Sequence, residues 1–269
     1  MSADTTALPV APRLRTAALR RLTLTELTLF LRERVSIIWG IAFPLVLLII
    51  FGNIPGFRKP VSPAAPRVSV LDSYVPVLLA FVLAMIALNV LPPVLAGYRE
   101  KDVLRRLSAT PVGAVRVLAA QLIVDAGMTA VTMIALLVVA RLAFSVAFPR
   151  QPAEFALAVV LGALALLSLG LLLAAVLPTS RGANAAGAIL FFPKMFFAGL
   201  WLPIAAMPAA LRHVSHATPL GAAVQAMTDA WQGHWHPVYL VILAGYALAF
   251  AVAAAMLFGW EIEPDGHSQ

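Results

Sequence analysis

Two ionisable side chains, Asp125 and Lys194, stand inside long apolar runs of this chain. Were those runs to cross a bilayer, each charge would cost at least about 2.5–3.5 kcal/mol to insert, so such groups usually pair or line a pathway. Asp125 and Lys194 can therefore be a proton or substrate contact, or an ion pair with each other. Lys194 can also reach one surface along its aliphatic stem. Asn89 and Gln121 lie in similar surroundings and can hydrogen-bond between helices. Four histidines, His213, His216, His234 and His236, crowd a later stretch. "HVSH" sets two imidazoles at i, i+3, which could begin a metal site. Only Asp229 offers a nearby carboxylate and the chain has no Cys, so ordinary interfacial histidines are the plainer reading.

The motifs of enzymes are missing. There is no G-x-x-x-x-G-K-[ST], and none of Lys59, Lys101 and Lys194 follows a glycine-rich turn, so the chain cannot hold ATP by a P-loop of its own. Neither G-x-S-x-G nor H-E-x-x-H occurs. The lack of Cys removes disulfides, thiolate metal sites and a Cys nucleophile. No catalytic residue, resident cofactor or metal is expected on this chain.

Residues 96–112, "AGYREKDVLRRLSATPV", break the apolar sequence with a dense mixed-charge segment. Helical spacing puts Val103, Leu104 and Leu107 on one apolar face, with Arg99, Glu100, Asp102, Arg105 and Arg106 around it. Thr110 suits an N-cap and Pro111 the first helical position, so a new helix should begin there. The spacing predicts a short amphipathic helix over 98–110. Such a helix cannot bury its apolar face alone, and mixed charge favours a protein partner over anionic lipid.

The elements that carry these residues follow from composition. The 269 residues are 62% hydrophobic and 12% charged, with a mean hydropathy of +0.94. That lies far outside the soluble class and points to an all-α polytopic membrane protein. A bilayer core takes about 20 apolar residues per helix. Six runs qualify, at about 35–52, 74–97, 114–144, 155–177, 183–203 and 238–259, within one domain spanning 1–269. Pro44, Pro76, Pro92, Pro93 and Pro193 fall inside them and predict kinks.

Upstream, 13–34 alternates basic and apolar residues at helical spacing and reads as an interfacial amphipathic helix, not a cleavable leader. With the N-terminus inside, the inner segments carry about twice the Lys and Arg of the outer ones, which sets both termini on the cytoplasmic side. The net charge of +7 thus reflects membrane topology, and nucleic acid is not an expected partner.

"YREKDVLRRLSATPVGAVRVLAAQL" resembles the loop between spans two and three of the permeases of type-2 ABC exporters, especially those similar to daunorubicin efflux permeases. The matching positions are Arg99 and Glu100, Leu104, Arg106 and Leu107, then Thr110 and Pro111. Where the family commonly has Gly or Thr after the Arg-Glu pair, this chain has Lys101 and Asp102. "FFAGLWLPIAAMPAALRHVSHATPLGAAVQAMTDAW" (196–231) resembles the family's outer segment after span five, with a proline-centred turn at Thr218-Pro219.

The resemblance implies a plasma-membrane half-transporter. A separate ABC ATP-binding subunit, holding ATP and Mg, would dock on the 98–110 coupling helix. A second copy or a paralogous permease would complete the pore, with spans one and five at the seam. Ala183 and Gly187, a small-xxx-small pair on span five, can serve that seam or pack within one subunit. The expected cargo is an amphipathic drug, lipid or related metabolite. Two other readings remain: a proton-coupled secondary transporter using Asp125, and a membrane scaffold that transports nothing.

Overall fold

The computed structural model describes residues 22–29, 38–61, 69–102 and 114–262. Among them there is no strand, only one isolated bridge between Pro60 and Ser69. Residues 22–29 are helical (α1). Then come α2 (Phe43–Asn53), α3 (Val70–Glu100), α4 (Ala114–Phe144), α5 (Pro152–Val176) and α6 (Ser180–Phe197). Two short helices, α7 (Ala209–Ala217) and α8 (Pro219–Gln232), precede α9 (Pro237–Ile262). Among the described residues α3, α4, α5 and α9 are long and apolar enough to cross a membrane. The apolar helix Gly40–Asn53 is shorter, and α6 carries Arg181 and Lys194 at opposite ends of its 18 residues.

Helix α3 is the centre of the bundle. It packs on α2, α4, α5, α6 and α8, whereas α9 packs on α5 and α8 and leaves most of its surface outside. Its course is set by prolines. Residues Ile86–Val90 form a π-turn in which the Leu91 N–H reaches back to the Ile86 carbonyl. Pro92 and Pro93 follow and donate nothing. The carbonyls of Ala87 and Leu88 therefore lose their ordinary i+4 donors. Two glycines cover them: a Cβ at Gly170 of α5 would fall on the Ala87 oxygen, and one at Gly187 of α6 on the Leu88 oxygen. Backbone-to-backbone approach of this kind replaces some of the lost interaction with Cα–H contacts. A second π-turn, Ile38–Ala42, precedes Pro44 in the same way.

The ends of the bundle differ. One end holds the start of α3, where Asp72 and Ser69 form a reciprocal capping box. Asp72 also accepts from the Ala147 amide at 2.9 Å, tying α3 to the α4–α5 connection. Its side chain is only 6% exposed. Asp72→Ala strands the Ser69 and Ala147 amides and should lower stability by about 1–3 kcal/mol, read as a fall in the detergent melting temperature.

At this same end α7 and α8 fold back into the bundle. Thr218 caps α8 by accepting from Gly221, Pro219 takes its first position, and α8 buries most of its length against α5. The Ser215 hydroxyl donates to the Phe197 carbonyl and fixes α7 to the end of α6. The other end holds Tyr98, Arg99 and Glu100, the α5–α6 turn, and α1.

Candidate functional site

Three helices leave a cavity of about 770 Å³ between them. Each supplies one face read at helical spacing: Phe43, Leu47 and Phe51 from α2; Phe81, Met85 and Asn89 from α3; Asn184, Ala188 and Phe192 from α6. Phe81 joins the walls, meeting Phe43 at 5.6 Å and Phe191 edge-on at 5.4 Å between ring centres. Toward the capping-box end, Phe51 stacks on Phe57 at 4.8 Å and Tyr74 stands edge-on to both. The polar groups lie toward the other end. Asn89 donates only to the Met85 thioether, at 3.7 Å, a weak bond, and Asn184 is exposed beside it. Among the described residues no Lys, Arg, Asp or Glu lines the cavity. An aromatic chamber with two carboxamides at one end suits a ligand with a broad apolar body and a neutral polar group.

The charged end is clamped to the helix that lines this chamber. The Arg99 guanidinium donates to the carbonyls of Ala174 and Ala175 at 2.9 and 2.7 Å, capping the end of α5. It also lies 6.0 Å from the Phe258 ring of α9. One Glu100 oxygen accepts from the Ser180 amide at 3.0 Å, placing a carboxylate at the first turn of α6. Beyond Glu100 the chain leaves the helix. Lys101 closes the last turn and Asp102 takes a left-handed conformation, φ 53°, which Asp tolerates at a helix end.

Tyr98, Arg99 and Glu100 thus form the end of α3. Residues 103–110, with Leu104, Arg106, Leu107 and Thr110, and Pro111 after them, lie outside the described residues. So do 13–21 and 30–34 of the interfacial stretch.

A side-chain hydrogen bond ties helix α1 to α3. The Tyr98 hydroxyl donates to Glu26, 2.8 and 2.7 Å from its two oxygens. Burial pushes the Glu26 carboxyl above the usual range, and the Tyr98 bond partly offsets it. A carboxyl raised in the folded state favours folding below the ordinary Glu value and loses that advantage as pH climbs through the raised one. Tyr98→Phe removes the offset, so the pH at which stability declines should move upward in thermal unfolding measured across pH.

Asp125 and Lys194 are not brought together. Asp125 is fully buried on α4 and takes hydrogen bonds from the Gln121 side chain at 3.1 Å to each oxygen. Helix α4 packs on α2 and α3, while α6 carries Lys194 against α3, α5 and the α7–α8 hairpin. Gln121 bonds within its own helix, and Ala183 and Gly187 are buried within this chain, Gly187 directly on α3.

The histidines divide. His236 bonds Asp229 at 2.9 Å, His216 bonds the Tyr239 hydroxyl at 3.2 Å, and burial with nearby Arg212 lowers His216. Among the described residues no cluster of His and carboxylates could hold a metal.

Residues 17–231, from before α1 through nearly all of α8, match the family described as ABC-2 type transporter. No curated protein matches the chain.

Proposed function

The chain belongs to the ABC-2 type transporter family, and from that premise we propose that it is the permease half of an ATP-driven exporter of an amphipathic drug, lipid or related metabolite. It is a transmembrane transport component, and the ATP-binding subunit with its ATP and Mg is a separate chain docking at 103–110. We place six spans across the plasma membrane, α2 and α6 among them, with both termini and the charged end cytoplasmic. A second copy or a paralogous permease completes the pathway. The open side of the chamber favours that. Phe192 of α6, in the chamber wall, is 61% exposed.

The observation that carries the proposal is the clamp of Arg99 and Glu100 on the α5–α6 turn. Force applied to the charged segment has a short route: through the end of α3, into the first turn of α6, and along α6 to Asn184, Ala188 and Phe192 in the chamber. Asp102 gives the segment a turn about which to move, while the clamp keeps the helices in step.

Ala188→Trp tests the chamber. The indole fills space facing Phe81 and should cut ATP-driven efflux from inverted or reconstituted vesicles about tenfold or more, a loss of roughly 1.4 kcal/mol in productive binding. The partner's basal ATP hydrolysis should persist. Undiminished efflux would place the pathway elsewhere.

A further inference from the structure

The bundle end that holds the capping box carries cations that neither the chamber nor the clamp uses. Arg58 closes the short turn Pro55–Arg58 after α2 and is exposed. Its Nε donates to the Gly52 carbonyl at 2.6 Å, and its guanidinium lies 5.8 Å from the Phe144 ring centre. That ring sits directly on Gly52, where a Cβ would collide with it. Arg141, one turn before Phe144 on α4, is also exposed. It donates to the Val146 carbonyl at 3.2 Å and lies 5.7 Å from the Phe148 ring centre. Both guanidinium groups thus stand at the last turn of α4, where α2 meets it.

A structural role accounts for part of each group. Cations are favoured at helix C-termini, and a guanidinium is attracted to an aromatic face. Among the described residues, however, each fork gives one bond to a carbonyl, out of the five N–H donors it carries. The remainder suit a phosphate, which accepts from several N–H groups at once. Lys59 follows Arg58 and is exposed, and residues 62–68 add Arg67 and no acid to the sequence.

The surface beneath these cations is apolar and faces outward. Val131, Ile134, Val138 and Leu142 recur at i, i+3, i+7 and i+11 along α4 and are 56, 61, 47 and 80% exposed. Arg141 follows Val138 at i+3 and Ile134 at i+7, so it heads the same stripe. Phe148, against the Arg141 guanidinium, is 64% exposed. Helix α4 is long and apolar enough to cross a bilayer, which sets its last turn at headgroup level. An apolar track that ends under two guanidinium groups matches a lipid chain with its phosphate. A zwitterionic headgroup would bring a cation of its own toward them, so a head of net negative charge fits better.

We propose that this end of α4 binds an anionic phospholipid, with its phosphate held by Arg58 and Arg141 and an acyl chain laid along Val131, Ile134, Val138 and Leu142. Bound there, the lipid joins the turn after α2 to α4 and braces one wall of the chamber. The site rests on α4 crossing the bilayer and not on the exporter reading.

Because the chain has no native cysteine, bimane on Ile134→Cys reports which lipid lies on the stripe. The full chain is reconstituted in mixtures of phosphatidylglycerol and phosphatidylcholine, with brominated chains on one lipid or the other. Brominated phosphatidylglycerol should quench the label at a mole fraction about fivefold lower than brominated phosphatidylcholine does. That preference should weaken in Arg141→Gln, which leaves the Arg58 bond to Gly52 in place, and vanish in Arg58→Gln/Arg141→Gln. Bimane on Leu248→Cys of α9, an exposed position, should show no preference. Equal quenching by the two lipids at Ile134→Cys would overturn the proposal, as would a preference that survives the double variant or is as large at Leu248→Cys. Quenching by neither lipid would mean that a protein surface covers the stripe, and would overturn it too.

Discussion

Gly170→Val should leave almost no folded protein. The Ala87 carbonyl occupies the space a side chain at 170 would need. It lacks its ordinary i+4 donor because the π-turn spends the Leu91 N–H on Ile86, and Pro92 has none to give. A valine would push α5 off α3 and leave the carbonyl buried without contact. Overpacking costs about 1–3 kcal/mol even where the neighbour can yield, and here the obstacle is main chain in the most buried helix. Gly187→Val should do the same at Leu88. Gly245→Val is the control, since nothing lies within 4 Å of a Cβ there. Size-exclusion profiles of the solubilised variants should show Gly245→Val monodisperse and the other two aggregated or absent. Monodisperse Gly170→Val would mean that α5 does not rest on the α3 backbone.

Glu100→Lys should uncouple the transporter without releasing its partner. The carboxylate touches the first turn of α6. Reversing the charge there swaps a favourable interaction with the helix N-terminus, about 0.3–1 kcal/mol, for an unfavourable one and also removes the bond to Ser180. Together these should reduce ATP-driven efflux about tenfold. Arg106→Glu lies in the segment proposed to meet the ATP-binding subunit and should instead weaken docking. Wild-type efflux in both variants would remove the charged segment from the coupling route.

Much of this architecture is legible in composition and hydropathy: an all-helical chain, apolar runs long enough to span, and a charged break between the second and third. Hydropathy cannot say which face of an apolar helix is inward, because α3 is apolar all round. Hydropathy accordingly does not show the chamber, although Phe43, Leu47 and Phe51, and likewise Phe81, Met85 and Asn89, repeat at i, i+4, i+8. Its sequence surroundings suit Asn89 to an interhelical hydrogen bond, and the chamber is where its carboxamide stands.

The prolines predicted kinks but not their partners. Gly170 and Gly187 are distant in sequence, and only the freed carbonyls of Ala87 and Leu88 explain both. Ala183 and Gly187 carry the spacing of a helix–helix contact, which a subunit seam and an internal contact share; the contact here is internal. Arg99 and Glu100 look like docking residues because their charges follow an apolar run. Among their partners are backbone atoms, the carbonyls of Ala174 and Ala175 and the Ser180 amide. Side-chain patterns do not announce those.

The central claim is that a separate ATP-binding subunit drives this chain through the segment after Asp102. Purifying the tagged protein from its native membranes in mild detergent, beside Glu100→Lys and Arg106→Glu, tests it most directly. An ATP-binding subunit should accompany the wild type and Glu100→Lys and be lost from Arg106→Glu. If the wild type, handled so that other membrane complexes stay intact, brings down no such subunit, the claim is contradicted.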